Sequence, residues 1–114
     1  MRNWGAATMA ETSLPCPGYL AGTLARRWEE FAPELVKMGT LDALNADLLA
    51  KFILAENEYL KISERVQDAI KGGDGDEAGK WINAQAKLSG QILKLGAELG
   101  ITPGARRSLG LGRR

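Results

Sequence analysis

Apolar residues recur along this chain at steps of three and four, the period of an α-helix, in three separate stretches. Over residues 20–37, Leu24, Trp28, Phe31, Leu35 and Met38 make one apolar face. Pro33 has no N–H to give the carbonyl of Glu29, which predicts a kink near Ala32, and Gly39 is a natural stop. Over residues 45–70, Leu48, Phe52, Ala55, Tyr59, Ile62 and Val66 step by four and three as a heptad-like seam. Asn45 is placed to cap this helix and Asp47 lies in its favourable first turn. At about 1.5 Å per residue the element is about 39 Å long. Leu49, Ile53 and Leu60 form a second stripe about 100° around it. Residues 71–76, rich in glycine and aspartate, read as a flexible acidic connector. Over residues 77–99 a third helix carries the seam Trp81, Ala84, Leu88, Ile92, Leu95 and Leu99, with a smaller-sided stripe of Ile82, Ala86, Leu93 and Ala97.

No stretch alternates with the period of a strand, so the expected class is all-α. A connector this short makes the second and third helices antiparallel neighbours. The architecture is then a long helical hairpin with a shorter kinked helix before it and a short helix after it. One stripe on each long helix pairs within the hairpin. The other must meet the first helix or another chain, and a short kinked helix covers only part of it. Exposed apolar stripes of this length point to partner subunits, so Leu49, Ile53, Leu60, Ile82 and Leu93 are the candidate oligomerisation residues and a ring the expected assembly. A compact three-helix bundle that satisfies every stripe internally is the alternative. By organisation, residues 1–18 read as a flexible arm, 19–100 as a helical oligomerisation core and 101–114 as a basic C-terminal segment.

Charge adds a polarity that the helical pattern lacks. The 114 residues have a formal net charge of only +1. Residues 81–114, however, carry six basic side chains against Glu98 alone, while the first 80 carry nine basic and thirteen acidic ones. A basic end of this kind suits phosphate or an acidic partner, although cations also favour helix C-termini for their own sake. The DNA-binding candidates are Arg106, Arg107, Arg113 and Arg114, then Lys80, Lys87 and Lys94, which repeat every seven residues along one side of the third helix. Arg26 and Arg27 beside Trp28 are a further patch, better explained by pairing with Glu29, Glu30 or Glu34 on the same helix. Trp28 and Trp81 lie on apolar seams and read as core anchors.

Other chemistry is hard to place. Cys16 is the one cysteine and histidine is absent, which excludes an intramolecular disulfide and a Cys/His zinc site within the chain. Asp74, Asp76 and Glu77 make an incomplete calcium loop and read as solvated linker. No nucleophile–base set and no Gly-x-x-x-x-Gly-Lys phosphate loop is present. The chain is therefore expected to be no enzyme, with no catalytic residue, metal or cofactor. It has no run of apolar residues long enough to span a membrane and no signal-peptide pattern at its start.

The end of the third helix is the most specific motif. In Glu98-Leu99-Gly100-Ile101-Thr102-Pro103-Gly104-Ala105-Arg106, Gly100 suits the left-handed position past a helix end and Ile101 can fold back on the last turn. Thr102 and Pro103 can then start a short helix. An amphipathic helix closed by Glu-Leu-Gly-Ile-Thr-Pro-x-x-Arg resembles the closing signature of a large family of phage terminase small subunits. The likeness extends upstream through Asn83-Ala84-Gln85-Ala86-Lys87, the aromatic at Tyr59, Asn45-Ala46-Asp47, Met38-Gly39-Thr40-Leu41, the tryptophan-centred stretch from Ala25 to Leu35, and Leu14-Pro15-Cys16-Pro17. In order and spacing it covers residues 14–110. The chain departs from members with a long basic arm, since residues 1–19 hold only Arg2 and Glu11 as charged side chains.

The resemblance implies a non-catalytic, ring-forming packaging factor in the host bacterial cytoplasm. Its partners would be viral double-stranded DNA, further copies of itself, and the large subunit that carries the ATPase and nuclease. A satellite-encoded homologue that redirects a phage's packaging fits the same residues. An all-helical protein–protein adaptor without DNA contact is the reading from a different class.

Overall fold

A computed structural model describes residues 14–101 and bears out the all-α class. Three helices follow in order: α1 (Thr23–Met38), α2 (Ala46–Lys71) and α3 (Gly75–Leu99). The long helices α2 and α3 pair along their length as an antiparallel hairpin, and α1 packs chiefly against α2. The expected C-terminal helix falls outside the described residues, as do residues 1–13.

The core lies at the base of the hairpin, away from the α2–α3 turn. Trp28, Phe31, Ala32 and Leu35 of α1 meet Leu49, Ala50, Phe52 and Ile53 of α2, and Leu99 and Ile101 close the group. Phe31 and Phe52 meet edge to face, with centroids 5.7 Å apart at 83°. Trp28 is a core anchor, as expected, and its indole N–H donates to the Leu14 carbonyl at 3.0 Å. That bond, with Leu14 and Cys16 packed on the core, ties these two residues to the folded unit. α1 runs through Pro33 as one helix. Nearer the turn the hairpin has no third helix, and its buried residues there are mostly small: Ile62, Ala69 and Ala78. Trp81 lies in this region, so it is half exposed and its N–H bonds Glu77 at 2.8 Å instead of entering a core.

Hydrogen bonds explain where each helix stops. The Gly100 N–H donates to Ala97 O at 3.2 Å and the Ile101 N–H to Gly96 O at 2.6 Å, with Gly100 at φ 78°. This is the paired closure that a left-handed residue permits, and it folds Ile101 back into the core. The close return needs a second glycine: a Cβ on Gly96 would lie 2.7 Å from the Ile101 carbonyl oxygen. The same bond pairs end α1 at Gly39 and α2 at Gly73.

Two local expectations change. The connector is a tight turn of Gly72, Gly73 and Asp74, in which the Asp74 N–H bonds Ala69 O at 2.9 Å. The Asp74 carboxylate caps α3 by accepting the Glu77 N–H at 3.0 Å. Asn45 does not cap α2 with its side chain. Its amide bridges the preceding loop instead, accepting the Asp42 N–H at 2.8 Å and donating to Thr40 O at 2.9 Å.

Candidate functional site

The hairpin has two faces, set by where α1 lies. α1 and α3 flank α2 on one side and leave between them a groove of about 470 Å³. Its floor is Ile53, Asn57 and Leu60 of α2; its walls are Thr23 and Leu24 of α1 and Ser89, Ile92 and Leu93 of α3. The Arg27 guanidinium spans one end. It binds Glu56 of α2 at 3.0 Å and Glu30 at 3.4 Å, and sits 4.9 Å from the Phe31 ring centroid. Arg27 is thus a structural clamp between α1 and α2, paired within its own helix as the sequence suggested and also across to the next.

The five candidate oligomerisation residues divide on this face. Leu49 and Ile53 are 0% and 1% exposed, buried beneath α1 in the chain's own core. Within one chain α1 covers the stripe as far as Ile53. Beyond the start of α1 the stripe is bare: Leu60 is 63% exposed, and across the groove Leu93 is 63% and Ile82 48% exposed. Helix geometry puts Leu93, Ser89 and Ile82 on one side of α3, so the three exposed apolar residues share the groove face.

The lysine row points the other way. Lys80 and Ile82, Lys87 and Ser89, and Ile92 and Lys94 are each two residues apart, and two residues turn a helix about 200°. Lys80, Lys87 and Lys94 therefore lie on the back of the hairpin, spaced about 10 Å apart. All three are exposed, and none forms an ion pair among the described residues. Arg106, Arg107, Arg113 and Arg114 fall outside the described residues. Sequence reasoning passed over Lys61 and Arg65 of α2, both exposed. The Arg65 guanidinium lies 5.0 Å from the Trp81 ring centroid. Their signal was available in the helical wheel, but only once the pairing of α2 with α3 was fixed. That register is marked by a hydrogen bond from the Gln85 amide to the Ser63 hydroxyl.

Cys16 is half buried, and burial first and the Glu29 carboxylate second raise its thiol above the ordinary value. Among the described residues no group of three His, Cys, Asp or Glu side chains is placed to hold a metal ion. No described helix is long and apolar enough to cross a membrane.

Comparison with known proteins agrees with the family resemblance read from the sequence. The model of one family, described as phage terminase, small subunit, matches residues 25–113. No curated protein and no solved structure matches the chain. The family match runs from the first turn of α1 through the hairpin and past the Gly100 closure, covering most of the chain, and on that ground the chain belongs to the phage terminase small subunits.

Proposed function

We propose that this chain is a non-catalytic, oligomeric DNA-packaging factor, working in the host bacterial cytoplasm, that engages viral duplex DNA and recruits or regulates the large ATPase–nuclease subunit. The observation that carries the reading is the family match over residues 25–113. The two-faced hairpin supports it. Leu60, Ile82 and Leu93 are offered to a neighbouring copy, and a closed ring covers them repeatedly. Lys80, Lys87 and Lys94 are offered to DNA phosphate, with Arg106, Arg107, Arg113 and Arg114 as further contacts.

Light scattering combined with a duplex-DNA titration at low and moderate salt tests this. The expected result is an assembly larger than a dimer whose affinity falls as salt rises. Leu60→Asp with Leu93→Asp should dissociate it while helical content is kept, because both side chains are exposed within one chain. A stable monomer at micromolar concentration refutes the assembly. Absence of binding at either salt refutes the DNA contact and leaves a helical adaptor.

A further inference from the structure

The back of the hairpin carries charge from both helices, and the α2 contribution has no role so far. The Ser63–Gln85 hydrogen bond places residue 63 of α2 level with 85 of α3. In an antiparallel pair, Lys61 is then level with Lys87, and Arg65 falls between the levels of Lys80 and Lys87. Arg65 lies about 140° around α2 from Leu60, the groove residue, and Lys61 about 100°. Arg65 is therefore on the back face and Lys61 on its outer edge. Both are exposed and neither forms an ion pair among the described residues. Acidic groups border this face: Glu58 and Glu98 toward the base, Asp76 and Glu77 at the turn, and Asp68 at the outer edge beyond Arg65.

Arg65 is also held in place. Its guanidinium sits 5.0 Å from the centroid of the Trp81 ring, and the Trp81 N–H is fixed to the Glu77 carboxylate at 2.8 Å. A ring attracts the cation and leaves the in-plane N–H fork available for a planar or tetrahedral anion. An arginine oriented in this way gives up less side-chain freedom on binding than a free lysine does.

We propose that Arg65, with Lys61 beside it, joins Lys80 and Lys87 in one phosphate-binding face that spans both helices of the hairpin and takes the backbone of duplex DNA. The proposal rests on the DNA-engaging reading above. Phosphate contacts of this kind position the duplex and do not read its bases, so the face accepts any sequence.

The test is the salt dependence of duplex binding by the full chain, measured for wild type, Lys61→Gln/Arg65→Gln, Lys61→Arg/Arg65→Lys and Lys80→Gln/Lys87→Gln. Circular dichroism and light scattering are recorded for each. The neutral α2 pair should flatten the slope of log affinity against log salt by about 0.9 for each phosphate left without its cation, about 1.8 per engaged subunit. The charge-keeping pair should retain the wild-type slope. The Lys80/Lys87 pair should lower it to a similar degree. An unchanged slope in Lys61→Gln/Arg65→Gln, with a reduced one in Lys80→Gln/Lys87→Gln, overturns the inference and leaves DNA binding intact. Loss of the assembly in the α2 pair with helicity retained also overturns it, because the face is then an interface between copies. Wild type that binds no duplex removes the functional reading itself.

Discussion

Replacing Gly96 with alanine should destabilise the chain, while the same replacement at Gly90, in the same helix, should stabilise it. Alanine in place of glycine inside an exposed helix gains about 1 kcal/mol from backbone entropy and propensity. At Gly90 a new Cβ meets nothing within 4 Å, so that gain stands alone. At Gly96 the new Cβ would lie 2.7 Å from the Ile101 carbonyl oxygen and 3.4 Å from Cε1 of Phe52. The first contact is to backbone, which cannot rotate away. Relief requires Ile101 to move, and Ile101 is held by its N–H bond to Gly96 O at 2.6 Å and by burial in the core. Overpacking of this kind costs about 1–3 kcal/mol, and weakening the closing bond adds about 1 kcal/mol. Set against the propensity gain, the net loss is about 1–3 kcal/mol. For a domain of this size each kcal/mol moves Tm by about 4–8 °C. Thermal melts followed by circular dichroism should therefore show Gly96→Ala below wild type by at least about 4 °C, and Gly90→Ala above it. If both variants rise together, Ile101 does not return onto Gly96 and the account of the α3 end is wrong.

Three further outcomes rest on single contacts. Gly100→Val should lower Tm, because φ is 78° and a Cβ would lie 3.3 Å from both Met38 Cε and Thr40 Cγ2; an unchanged melt would remove the left-handed closure. Trp28→Phe should cost about 1–3 kcal/mol in urea unfolding, since the Leu14 carbonyl loses its donor and the core loses volume. Cys16 should react with iodoacetamide at mildly alkaline pH more slowly than a free cysteine peptide, because its raised pKa leaves less thiolate; Glu29→Gln should speed the reaction by removing the lesser of the two causes.

The helices and their ends were legible because periodicity and glycine placement are local properties. Gly39 and Gly100 stop α1 and α3 as the pattern implied, and the seam of Phe52, Ile62, Leu88 and Leu99 is the seam that packs or half packs. What the sequence did not disclose was the lateral position of α1. Leu49, Ile53 and Leu60 are equivalent on a helical wheel, and only the docking of α1 separates the buried pair from the exposed third. The role of Gly96 was hidden for a similar reason: a glycine inside a helix announces no partner until Ile101 is seen to return on it. Asn45 shows a local competition, in which an amide that could cap a helix finds both Asp42 and Thr40 in the loop before it.

The spacing within α3 has one consequence for how the surfaces can be used together. An apolar contact and a phosphate contact compete if they share a face, because a bound duplex then blocks the neighbouring subunit. Lys80 with Ile82, Lys87 with Ser89, and Ile92 with Lys94 each place a cation two residues from a groove-side residue. Since two residues turn a helix about 200°, no rigid rotation of α3 brings both members of a pair to the same side. Sliding α3 by one residue against α2 moves both sets together and keeps them opposed. The segregation is therefore written into the helix itself and does not depend on the docking angle of α1. A partner copy on Leu60, Ile82 and Leu93 leaves the lysine row free, and a duplex on the lysine row leaves the apolar groove free. Moving one cation breaks this independence: Lys87→Ser combined with Ser89→Lys would put the charge in the groove wall, and assembly and DNA binding should then become mutually antagonistic. Light scattering with and without duplex reads the effect, and a double variant that still assembles equally well in both conditions would show that the two faces are not separated in this way.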